Sequence, residues 1–219
     1  MASKPKRAYA SSTPEQPTKV MKTDVIEADD FDVESKNPFN VPSCGSDVAL
    51  VVEGKKLHVH KSVLSVHSPV FRAMFTSNFS EKDATEVNLP TKKYEAVLNF
   101  LLQMYPVHSR KGITDDIALT AVLPLAHEYQ AKHVLLGCIA FIKSAIPDLG
   151  YTVFYSGRSL LLMYLCEKYD LTEQLSAVLQ QAATCPIDTI EKTVHFTMLT
   201  VPTQMQLLKA RCRVAERRK

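Results

Sequence analysis

Seven histidines and five cysteines are the residues of this chain best suited to catalysis or metal binding. His58 and His60 stand two apart, so on a strand both imidazoles share one face, a geometry two metal ligands can use. No Cys-x-x-Cys, no His-Glu-x-x-His and no third ligand at fixed spacing accompanies them. They read as structural or surface histidines. A Cys–His nucleophile would need partners distant in sequence. Cys138 and Cys166, however, sit on apolar helical stripes, where a thiol packs as a small hydrophobe. The six glycines are scattered, so no loop is built to cradle phosphate. The sequence therefore predicts a chain without catalytic residues, metal or cofactor, one that works through its surface.

Composition narrows the setting. Cys44, Cys138, Cys166, Cys185 and Cys212 are an odd number at unpatterned spacings, which fits reduced thiols in a cytoplasmic or nuclear protein. A net charge of +3 is too mild to argue for direct nucleic-acid binding. The basic residues Lys209, Arg211, Arg213, Arg217, Arg218 and Lys219 read as cations complementing the end of a last helix. No apolar run reaches the ~18 residues of a membrane span, and the N-terminus lacks the hydrophobic stretch of a signal peptide. At 46% hydrophobic residues, the chain can bury the core of one medium domain or two small ones.

Regular elements must carry this surface, and most are written in the local pattern. Residues 1–43 are polar and proline-bearing without period, and read as a mostly disordered arm. Phe31, Phe39 and Val41 are the exceptions, apolar enough for the end of the arm to pack on the adjoining domain. Lys4-Pro5-Lys6-Arg7 matches a nuclear import signal weakly and reads more readily as a solvated tail. Val48 to Val52 is apolar on both faces, as in a buried strand. Glu53-Gly54-Lys55 turns it into a second strand, with Leu57 and Val59 inward. Val63, Leu64 and Val66 lie on a short helix. Ser68-Pro69 then caps and opens a second helix. Val87 and Leu89 suggest a third strand. The stripe Tyr94, Val97, Leu98, Leu101, Leu102, Tyr105 is a helix with Thr91 as its expected cap.

Thr114, Asp115 and Asp116 start a further helix, and Pro124 inside it predicts a kink or break. Ala131, Val134, Leu135, Cys138, Ile139 and Ile142 form another stripe, ended by residues 147–150. Everything beyond reads as helix. Leu125 to Tyr129 and Leu165 to Tyr169 share the pattern L-x-x-x-Y, each succeeded by an amphipathic helix at the same offset. The pattern is either a repeated helix pair or a chance likeness of helices.

Several of these segments together resemble the BTB (POZ) domain. They are Ser46-Asp47-Val48, His60-Lys61-Ser62-Val63-Leu64 and Ser68-Pro69-Val70-Phe71 with Met74-Phe75. Val87-Asn88-Leu89, residues 100–105, and Leu123-Pro124-Leu125-Ala126 with Tyr129 continue the family's order. The wording around Leu101 and Pro124 is most similar to invertebrate BTB proteins that often carry a MATH domain. Residues 1–45 leave no room for a MATH domain, and no Kelch repeat comes after residue 146 in this sequence. The resemblance implies an α+β fold: a short β-sheet flanked by a helical cluster, over residues 44–146. An all-α extension over 150–219 is similar to the BACK helices of cullin adaptors, on the strength of Glu167-Lys168-Tyr169-Asp170-Leu171.

The resemblance also implies partners. BTB domains usually form homodimers, and the family's dimer face falls on Val63, Leu64, Val66, Val70 and Phe71. By composition alone these five fill the chain's own core equally well. Asp47 and Lys61 match the family's paired charges near the dimer pocket. Many members bind a cullin scaffold of the cullin-three class and present protein substrates to a RING ubiquitin ligase. Their signature, a hydrophobic residue, any residue, then glutamate, is matched in place by Phe79-Ser80-Glu81. Tyr105 lies where a further cullin contact comes from, although Tyr105-Pro106 replaces the family's frequent Tyr-Thr-Gly. The expected function is a dimeric substrate adaptor of a cullin-RING ligase, its substrate unnamed. The alternative is a homodimerising scaffold or transcriptional regulator that never meets a ligase.

Overall fold

The computed structural model describes residues 37–77, 79–105, 112–147 and 156–217. The Lys4 to Arg7 run, Phe31 and most of the arm expected to be disordered lie outside these residues. The sheet is built around strand β1 (Val48–Val52). Strand β2 (Lys55–Val59) pairs with it antiparallel, Val48 opposite Val59 and Val52 opposite Lys55. That register leaves two residues for the turn, Glu53 and Gly54, both at positive φ (49° and 76°). Such a turn matches the twist of the strands it joins. Strand β3 (Glu86–Asn88) pairs parallel with the other edge, giving the order β2-β1-β3. As the central strand, β1 buries Val48, Leu50 and Val52 on one face and Ala49 on the other.

Parallel pairing needs a crossover. Helices α1 (Lys61–His67) and α2 (Pro69–Thr76) lie within it. The Ser68 hydroxyl oxygen accepts from the Phe71 amide at 3.1 Å, as the capping pattern predicts. It also donates to the Tyr129 carbonyl at 2.5 Å, across 61 residues. Helix α3 (Tyr94–Met104) buries Val97, Phe100, Leu101 and Met104. Thr91 does not cap it. The Glu53 carboxylate accepts from the Tyr94 amide at 3.0 Å and from the Lys93 ammonium at 2.8 Å. The β1–β2 turn thus supplies the anion at the positive end of α3.

Helix α4 (Asp116–Glu128) starts where expected, the Asp115 carboxylate accepting from the Ala118 amide at 2.7 Å. Of the kink or break expected at Pro124, the break does not occur: α4 continues through it as one helix. Buried Val122 and Leu123 before the proline, and Leu125 and Ala126 after it, hold both halves to the core. Helix α5 (Lys132–Ala145) comes directly after it. Helices α6 (Ser156–Lys168) and α7 (Thr172–Ala182) form a second pair. Two short helices, α8 (Ile187–Lys192) and α9 (Val194–Met198), lead to the long α10 (Val201–Glu216).

The L-x-x-x-Y pattern is a structural repeat. Gln130 and Asp170 take positive φ (51° and 55°) just past α4 and α6. The next amide, of Ala131 or Leu171, returns to Ala126 or Cys166 (2.9 and 2.8 Å). The amides of Gln130 and Asp170 return to His127 and Glu167. This is a Schellman ending used twice, each time launching the next helix. Residues on both sides of the boundary expected near 146–150 share one buried cluster, Leu119, Ile142, Leu160 and Val178 among them. Asp116 pairs with Arg158 at 2.8 Å and Lys143 with Glu173 at 2.9 Å. Phe39 is buried as well, ahead of residue 44, its carbonyl accepting from the His58 amide. Val41 stays exposed.

Candidate interaction site

Helix α2 sorts its side chains by helical spacing. Phe71 and Phe75, four apart, face inward, and Phe71 stacks on Tyr129 with ring centroids 4.4 Å apart. Pro69 and Ala73 face out, and Val70 and Met74 are half-buried. After Ser77 the chain turns back, the Lys82 amide donating to Phe79 O and the Ala84 amide to Glu81 O. This turn leaves Phe79 58% exposed. Phe79 and Glu81 border an open groove of about 500 Å³ with Pro69, Val70, Ala73, Met74 and Gln130. The Ser80 hydroxyl donates to the Glu81 carboxylate at 3.0 Å. An aromatic ring held out beside an apolar channel, with a carboxylate at its edge, is chemistry for binding a protein surface.

Gln130 was not legible as part of this site. Its signal was the L-x-x-x-Y pattern, because the positive φ after Tyr129 carries it to the groove. Lys61 steadies the other side, its ammonium donating to the Lys82 carbonyl at 2.8 Å. Asp47 and Lys61 do meet, but the Asp47 carboxylate accepts from the Lys61 backbone amide at 2.7 Å. An anion there complements the N-terminus of α1. Among the described residues no ion pair joins the two side chains.

Tyr105 does not line the groove. Its hydroxyl accepts from the His60 amide at 2.9 Å, and its ring meets Phe39 edge-on at 4.9 Å. Burial pushes its phenol above the usual range, against the pull of the His60 amide. Of the five residues expected at a dimer face, Leu64 and Phe71 are fully buried in this chain's own core. Apolar spacing alone cannot separate a core position from an interface position. Val63 and Val70 are half-buried, and Val66 is 69% exposed.

Among the described residues, His60 makes structural hydrogen bonds and Cys138, Cys166 and Cys185 are buried. His60 holds Tyr105 OH through Nδ1 and Cys44 O through Nε2, each at 3.2 Å. Burial pushes the thiols of Cys138 and Cys166 up to about 12, so at neutral pH they stay protonated. Among the described residues no group of three His, Cys, Asp or Glu could hold a metal ion. Among them, too, no helix is long and apolar enough to cross a membrane.

Fold and site define a protein-interaction module. The family model of the BTB/POZ domain matches residues 37–146, half of the sequence, and the chain belongs to that family, with a helical C-terminal extension. It is 38% identical over 96 residues to BTB and MATH domain-containing protein 38 of Caenorhabditis elegans, covering 44% of this chain and 24% of that protein. It is 34% identical over 136 residues to Kelch-like protein 28 of Homo sapiens, covering 57% of this chain and 23% of that protein. This chain thus spans about a quarter of the length of these relatives. Among solved structures, it is similar to the BTB domain of human Gigaxonin, with 18% identity and a TM-score of 0.37 over 44% of this chain and 77% of that one.

Proposed function

We propose that this chain is a homodimeric adaptor that joins a cullin scaffold of the cullin-three class to a protein substrate for ubiquitination. The observation that carries the reading is the exposed Phe79 ring beside the α2 groove, with Glu81 at its border. An exposed ring continuous with an apolar groove forms a patch rather than a lone surface residue, and buried aromatics anchor binding hot spots. Glu81 would accept a charge-assisted hydrogen bond across that interface. Val63, Val66 and Val70 are the accessible residues for a two-fold contact, which needs a self-complementary apolar patch. Dimerisation would present each surface twice and raise avidity for bivalent targets. Five free cysteines suit a reducing compartment, cytoplasmic or nuclear.

The test is titration of the purified chain with a cullin N-terminal domain. Wild type should bind at micromolar concentration or tighter. Phe79→Ala should weaken binding about thirtyfold or more, the ~2 kcal/mol or more of a hot-spot truncation. Glu81→Lys should weaken it too, through reversed charge. Wild type that forms a dimer in light scattering yet ignores the cullin would leave the homodimerising scaffold as the surviving reading. Binding indifferent to both substitutions would keep the partner and discard this site.

A further inference from the structure

Helix α10 presents two rows to solvent. Val201, Met205 and Cys212 recur at helical spacing on one row; Val201 is 69% and Met205 48% exposed. Beside it, on the flank turned toward α7, stand Gln206, Lys209 and Arg213. An open groove of about 450 Å³ separates that flank from α7, with Leu175, Leu179 and Ala210 as its apolar lining. The α7 wall offers Thr172, Ser176 and Gln180, none of which can neutralise a cation. Glu173, the acid of α7, is already paired with Lys143 on α5. Within α10 the only carboxylate is Glu216, against Lys209, Arg211 and Arg213. Among the described residues neither Lys209 nor Arg213 makes an ion pair.

We propose that the groove between α7 and α10 docks an acidic amphipathic helix of a partner protein. Charge decides the occupant. A basic or neutral segment would leave Lys209 and Arg213 facing like charge or unpaired beside desolvated surface. A helix with carboxylates on one flank meets both cations, while its apolar stripe covers the groove floor of Leu175, Leu179 and Ala210. This docking surface is separate from the Phe79 groove and does not depend on the cullin reading.

A display library of random peptides of about 15 residues, four helical turns, selected on the full chain, tests it. Enriched sequences should be net acidic, with apolar residues at i, i+3 and i+4. Their affinity should fall at least tenfold in the Lys209→Glu/Arg213→Glu double variant, and should weaken with salt, because exposed charges are screened. A Lys209→Gln/Arg213→Gln variant, which only removes charge, should show a smaller loss. Phe79→Ala should bind these peptides like wild type. No enrichment, enrichment of neutral or basic peptides, or binding that survives charge reversal would each overturn the proposal. A change of oligomeric state in the double variant, read by sedimentation, would assign the face to a second copy instead and overturn it as well.

Discussion

At Tyr129 and Tyr169 the backbone performs the same manoeuvre, a helix closed by a Schellman ending and a residue at positive φ before the next helix. The rings meet different surroundings. Tyr129 is buried between Phe71 and Phe100, with centroids 4.4 and 5.7 Å away, and burial pushes its phenol up to about 12. Tyr169 is half-buried, beside His127 at 5.3 Å and under the Lys168 ammonium. The local pattern sets the turn and the tertiary environment sets the energy. The first pair packs Tyr129 into the rings of Phe71 and Phe100, while the second leaves Tyr169 half-buried.

Three measurements break or sharpen that contrast. The largest effect belongs to the rings. Tyr129→Ala should cost about 3–5 kcal/mol in urea unfolding, as for a fully buried aromatic. Tyr169→Ala should cost about 1 kcal/mol, a typical half-buried substitution. Equal losses would erase the distinction between the buried and the half-buried ring.

A smaller effect belongs to the second pair alone. Burial pushes the Glu167 carboxyl upward, but the hydroxyls of Thr200 and Thr203 and the Thr200 amide outweigh it and hold it below the usual range. A lowered folded pKa adds stability above the unfolded value of about 4.3, and that stability is lost as pH falls through the folded value. Glu167→Gln should therefore lose about 1 kcal/mol at neutral pH, the worth of a helix cap. Its stability should also fall less steeply than wild type below about pH 4. A parallel acid profile in the two proteins would deny Glu167 this role.

The smallest effect tests the shared turn. Gln130→Gly should gain up to about 1 kcal/mol, since glutamine tolerates the left-handed region poorly. Asp170→Gly should gain less, because aspartate visits that region more readily. Both would show as raised urea midpoints with unchanged slope.

The sheet, the Ser68-Pro69 start of α2, the stripe of α3 and the Asp115 cap were legible because each is written within a few residues. The cap of α3 was not, since Glu53 reaches it from a turn about 40 residues earlier. Long-range capping leaves no local pattern. Pro124 does not break α4, because propensity weighs less than four buried neighbours. Leu64 and Phe71 fit both a core and an interface, and only the position of Tyr129 decides for the core at Phe71. Phe79 and Glu81 were singled out by place alone, while the groove beside them also includes Gln130, delivered by a backbone conformation.

Ser68 carries a consequence for synthesis on the ribosome. Its buried hydroxyl is matched by the carbonyl of Tyr129, and its neighbour Phe71 needs the Tyr129 ring above it. A nascent chain that has emerged only as far as α3 therefore holds an open aromatic face, with the Ser68 hydroxyl still bonded to water. Chaperone occupancy on the emerging polypeptide should persist until α4 has cleared the exit tunnel and the first half can close.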